Sequence, residues 1–272
     1  MRRGVAFGLP AFLPALVVAG LAVADPLPQG SFVVGPRVGT TFILGDFLNA
    51  TTASNTQINP NNQQIPVVSW SSASLSFSEA FSQPVSAGFD VGYMVTESLE
   101  LFGGGSFTGA WGKKRNIGTA TITKSTFDQD TGDPITFNQE TSLNAEFGDY
   151  HEIDGEIGAR WHFMPGFVVR PYVGASARLI WRDDLYVDLT DDSNFAIGRV
   201  RLYDSSVKFG GGLQAGFNYE VAEGASLGAM VGLNFRPTQN RNKQDLGSTL
   251  SVITDVSGSI DIPLAVRFNA AF

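Results

Sequence analysis

"IDIPLAVRFNAAF", Ile260 to Phe272, closes the chain. Taken in twos, Ile260, Ile262, Leu264, Val266, Phe268, Ala270 and Phe272 are apolar. Between them stand Asp261, Pro263, Ala265, Arg267, Asn269 and Ala271, a small or polar set. Strict period-two alternation marks a strand whose faces meet two different solvents. Here the apolar face runs to the last residue, and the other face carries an arginine in mid-strand.

Seven more segments read the same way. Phe32 to Leu44 sets Phe32, Val34, Val38, Phe42 and Leu44 against Arg37. Val85 to Met94 sets Phe89 and Val91 against Asp90, and Leu99 to Trp111 sets Leu101 and Phe107 against Glu100. Ile153 to Phe163 sets Ile157 and Trp161 against Asp154, Glu156, Arg160 and His162. Phe167 to Ala177 carries Arg170, Val207 to Tyr219 carries Lys208, and Leu227 to Phe235 is followed by Arg236. The connections alternate as well. Thr96 to Ser98, Met164 to Gly166 and Ala222 to Ala225 are tight turns. Gly45 to Pro84, Gly112 to Glu152, Arg178 to Ser206 and Pro237 to Ser259 are long and polar.

Strands of about ten residues joined by short turns at one end and long loops at the other form an outer-membrane barrel. The fold class is all-β, an antiparallel transmembrane β-barrel of about eight strands, with short periplasmic turns and long extracellular loops. A soluble β-sandwich also alternates. Against it stand the asymmetric loop lengths, the mid-strand charges and the apolar face that persists to Phe272.

The other end of the chain fits this class. Met1 to Gly4 is basic, Val5 to Val18 is apolar, and Ala22-Val23-Ala24 is a small-x-small cleavage site. That is the layout of a secretory signal peptide. The predicted organisation is a signal over 1–24 and a barrel domain over 25–272, exported through the periplasm to the outer membrane. Removing the signal leaves 16 basic against 26 acidic residues, a formal charge of −10. That balance disfavours nucleic acid as a partner. With no cysteine in the chain, disulfide and thiol chemistry are excluded.

Several stretches carry a family resemblance. Val33 to Gly39 resembles the first strand of the OmpA-like and opacity-type small outer-membrane barrels. Arg170-Pro171-Tyr172-Val173-Gly174-Ala175 resembles the family strand that follows a short turn, and Gly210 to Gly216 its glycine-rich sixth strand. The closing strand, with Leu264, Val266, Phe268 and Phe272, is similar to the C-terminal signal read by the barrel-assembly machinery. The resemblance implies that machinery as a partner during biogenesis. The peptidoglycan-binding domain of some relatives is not expected, since the chain stops at the barrel.

With the apolar faces toward lipid, Arg37, Arg160, Arg170, Lys208, Arg236 and Arg267 point into the lumen, together with Asp90, Glu100, Asp154, Glu156, Glu220 and Asp261. Eight strands leave an interior that side chains fill. Charges buried there must be paired, since an orphan is costly. The lumen is therefore expected to be a salt-bridge plug; a charged constriction for ions is the alternative. Trp161 near the short turns, and Trp111 and Trp181 near the long loops, are placed as interfacial aromatics.

Chemistry has few candidates. His162 faces inward near a turn, where a structural hydrogen bond is expected, and no motif surrounds His151. No enzymatic activity, cofactor or metal is expected. "DQDTGD", Asp128 to Asp133, departs from the calcium-loop spacing and reads as the turn of a hairpin between Thr119–Phe127 and Pro134–Thr141. Asp183, Asp184, Asp188, Asp191 and Asp192 form a solvated acidic loop, and Asn55 to Gln64 is Asn/Gln-rich. The expected function is structural and surface-interactive. The partners are outer-membrane lipid and lipopolysaccharide, an extracellular ligand on the loops, and no second subunit. A small-solute channel is the alternative.

Overall fold

The computed structural model describes residues 27–48, 51–54, 67–127, 134–194, 196–236, 242–246, 250–254 and 259–272. The predicted signal peptide, the Asn/Gln-rich stretch and the DQDTGD turn lie outside them.

Eight strands close into a barrel: β1 (Phe32–Leu44), β2 (Val85–Met94), β3 (Leu99–Ala110), β4 (Tyr150–His162), β5 (Val169–Arg182), β6 (Ser206–Ala222), β7 (Ala225–Arg236) and β8 (Ser259–Ala271). Each pairs antiparallel with its neighbours in sequence, and β8 returns to β1. At the seam Phe32 N–H donates to the Phe272 carbonyl (3.1 Å) and Phe272 N–H to the Phe32 carbonyl (2.9 Å). The final residue is thus part of the ladder. No helix among the described residues is long and apolar enough to cross a membrane. Crossing falls to the strands, and a closed ring is the form of sheet that leaves no edge unpaired in hydrocarbon.

The alternation decides which face is which. Val38, Phe89, Leu101, Ile157, Val173, Phe209, Val231 and Val266 all point away from the lumen and are exposed. In water this continuous apolar girdle would be strongly unfavourable; against lipid it is the matching surface. The strands overrun several of the sequence-based boundaries, two of them by enough to matter for the lumen. β4 starts at Tyr150, inside the stretch read as loop, and β5 runs to Arg182 rather than Ala177.

Above the mouth the structure departs from the expectation of long polar loops. The connecting segments form a six-stranded sheet in the order Ala196–Tyr203, Leu185–Thr190, Pro134–Phe147, Lys114–Phe127, Val67–Ser72, Thr51–Ser54. A hairpin of Asn242–Leu246 and Leu250–Thr254 lies against both outer strands of that sheet. The interior of this cap is apolar: Phe47, Phe77, Phe81, Phe147 and Tyr150 pack edge-on and tilted around one another, with Ile117, Leu143, Leu185, Val187 and Leu202 beside them. A short helix, Phe77–Ala80, delivers two of these rings. Its entry is fixed by Ser76, whose hydroxyl (2.7 Å) and backbone N–H (2.8 Å) donate to Glu79. Those bonds hold the Glu79 carboxyl below the usual carboxylate range.

Phe81 is fully buried at the centre of the cap. Phe81→Ala should destabilise the cap by about 3–5 kcal/mol and leave the barrel intact. Protease added to intact cells should then cut the cap segments faster than in the wild type, while the heat-modifiable folded barrel band persists.

Candidate functional site

The inward faces of β1–β5 and β8 converge on one belt of charge. β2 supplies Asp90, 1% exposed, and β4 supplies Arg160, fully buried. Arg160 donates to Asp90 (2.7 Å) and to Glu100 of β3 (2.9 Å). Its guanidinium also lies 3.7 Å above the Phe102 ring, a favourable cation–π contact when desolvated. Arg37 of β1 reaches Asp90 (3.3 Å) and pairs with Glu156. Arg267 of β8 lies 3.6 Å from Asp90 and donates to Asn269 (2.9 Å). His162 sits 2.9 Å from the second oxygen of Glu100. One carboxylate thus gathers three guanidiniums from three strands, and the belt crosses the full width of the lumen.

Glycines make this approach possible. A Cβ on Gly92 would lie 2.2 Å from Glu100 Oε1, and one on Gly104 2.6 Å from Asp90 Oδ1. Interior strand glycines often mark such close approaches.

Two further pairs sit above the belt. Arg178 of β5 donates to Asp154 (2.5 Å), which also accepts from Ser106 (2.8 Å). Arg182 donates to Glu152 (2.8 Å), and Glu152 accepts from the Tyr150 hydroxyl (2.6 Å). Near the short turns Arg170 pairs with Glu220 at 3.0 Å. On the β7–β8 wall Asp261 is fully buried opposite Asn234, and Lys208 is half-buried on β6 opposite Ile180. The Arg236 side chain lies outside the described side chains.

Glu152, Arg178 and Arg182 were missed by the sequence reading because they fall in stretches assigned to loops. Their signal was present: Arg178, Ile180 and Arg182 alternate with Leu179 and Trp181, so the period continues past Ala177.

On the outer surface, Leu264, Val266, Phe268 and Phe272 form one exposed apolar row along β8. Trp161 lies at the short-turn end, and Trp181 and Trp111 at the cap end. His151 faces outward with its ring tilted over Phe107, 5.7 Å between centroids. Among the described residues no group of acidic and histidine side chains is placed to hold a metal ion.

No protein-family model and no curated protein matches the sequence. Among solved structures the chain is similar to the outer membrane protein OprG from Pseudomonas aeruginosa, at 12% identity, covering 92% of this chain and 99% of that one, with a TM-score of 0.40. It is similar to Neisserial surface protein A at 15% identity, over 88% and 98% of the two chains, with a TM-score of 0.35. It is also similar to Ail of Yersinia pestis at 8% identity, over 89% and 99%, with a TM-score of 0.34.

The geometry makes Asp90 the group whose loss is felt most widely. Asp90→Asn should destabilise the barrel by about 3–5 kcal/mol, because three arginines lose their shared counter-charge. Urea unfolding in detergent, followed by loss of the heat-modifiable band, measures this. Asp188→Asn, in an exposed pair on the cap, should change little.

Proposed function

In an outer-membrane β-barrel whose strands carry an apolar girdle outside and paired charges inside, we propose a structural and display role, with no passage through the lumen. The barrel is exported with cleavage of the segment over 1–24, inserted with the barrel-assembly machinery reading the β8 row, and works as a monomer. It holds a folded β-cap above the outer leaflet, and the cap is the surface offered to an extracellular partner. Outer-membrane lipid and lipopolysaccharide contact the girdle and its interfacial tryptophans.

The observation that carries this reading is the belt around Asp90 and Arg160. A hydrated pore leaves its charges in water, whereas Asp90, Glu100, Arg160 and Arg267 are at most 2% exposed and Asp90, Glu100 and Arg160 are bonded across the lumen. The apolar cap core supports it from above, since a packed aromatic cluster offers ions no polar route. Against enzymatic activity stands the placement of the histidines. His162 is taken by Glu100, and His151 lies on the outward face over Phe107.

In planar bilayers the full-length barrel should give no unitary ion conductance, and steady channel events from the wild type would overturn the plug. A separate measurement addresses biogenesis. Deleting Phe272 removes one exposed ring and one pair of seam hydrogen bonds, so refolding from urea into detergent should be little changed. Assembly in cells should fall severalfold. Equal losses in both would make Phe272 only the end of a strand.

A further inference from the structure

At the cap side of the charged belt the lumen holds a cavity of about 40 Å³. Its wall includes Ser106 and Asp154 on one side, Ser176, Arg178 and Gln214 on the next strands round, and Arg37 across from them. Three of these residues are deeply buried: Asp154 is 2% exposed, Arg178 8% and Gln214 9%. They hold polar atoms that find no hydrogen-bond partner among the described residues. These are Asp154 Oδ1, Arg178 Nε and Nη1, and both the oxygen and the nitrogen of the Gln214 amide.

The chemistry of the orphans defines the guest. The carboxylate oxygen needs a donor. The guanidinium nitrogens need an acceptor. The amide needs one of each. A metal cation satisfies the first and repels the second; an anion does the reverse. A small neutral molecule that both donates and accepts satisfies all of them. One water requires roughly 10–15 Å³ of such space and two to four polar partners, so the cavity accommodates about three.

We propose that this cavity is a binding site for a cluster of about three water molecules, bridging Asp154, Arg178 and Gln214 and completing the hydrogen bonding of the β4–β5–β6 wall. On the belt side the cavity is lined by Arg37 and Glu156, and on the cap side by Glu152, which accepts from the Tyr150 hydroxyl. The cluster belongs to the folded barrel and is not a segment of an open water column.

The test is water-edited solid-state NMR on the full-length barrel in lipid bilayers, with bulk water as the probe. Magnetisation should reach the Gln214 side-chain amide and Ser176 later than it reaches exposed cap residues, as held water requires, and well before it reaches the girdle residue Val173. Gln214→Asn keeps an amide in the cavity and should retain transfer to Ser176. Gln214→Leu should reduce it severalfold and lower the melting temperature, because Asp154 and Arg178 lose their bridge. A dry cavity gives the opposite results: no transfer to Gln214 in the wild type, and a Gln214→Leu variant that melts higher because two unmet polar atoms are gone. Either of those outcomes overturns the proposal. If Gln214→Leu fails to fold, the wild-type spectrum and Gln214→Asn decide.

Discussion

Hydrocarbon supplies no hydrogen bonds, and that single deficiency governs the structure. Every amide of a membrane-crossing strand must find its partner within the sheet. The sheet therefore closes, and closure fixes the rest. It requires β8 to lie beside β1, which brings Phe272 to Phe32. It gives each strand one face toward lipid and one toward a narrow lumen. With eight strands that lumen has no room for bulk solvent, so polar groups placed there must satisfy one another. The belt around Asp90 answers that requirement with ion pairs, hydrogen bonds and a cation–π contact that together involve six of the eight strands, the sixth being β5 through Tyr172, whose hydroxyl lies 3.5 Å from Arg267.

Along the same strands the solvents exchange places at the outer mouth. Below it, apolar side chains point outward and charged ones inward. Above it, the surroundings are water, and the cap buries Phe47, Phe81, Phe147 and Leu143 in its interior. β4 shows the change within three residues of one face. Asp154 and Glu152 belong to the charged lumen, and Tyr150 belongs to the aromatic core, joined to Glu152 by its hydroxyl. The residue that spans the boundary has one apolar end and one polar end, as that position demands.

What could be read from the sequence follows from this physics. Period-two alternation against two contrasting solvents is a strong signal, and it located all eight strands and the side from which Arg37, Asp90, Glu100, Arg160 and Arg267 project. The partners of those residues were not legible, because which carboxylate meets which arginine depends on register and shear between strands distant in sequence. Of the cap, the hairpin of Thr119–Phe127 with Pro134–Thr141 was legible and those strands pair; the rest was not, for a different reason. Its strands carry Thr, Ser and Asn as freely as Val and Leu, its apolar positions are short and scattered, and its core assembles from all of the first three connecting segments. Composition made most of those segments look like solvated loops, whereas Phe81, Leu143 and Val187, from three different connections, pack into one core.

The register of the seam sets Arg37 directly opposite Arg267. Like charges facing each other across a strand pair repel, so the first and last strands are poor partners by themselves. Asp90 on β2 lies within reach of both. In the closed ring the carboxylate on β2 offsets that repulsion, and a shift of β2 by one residue would turn Asp90 out toward lipid and leave the two arginines without it. The native seam thus depends on a residue of a third strand for its electrostatic balance.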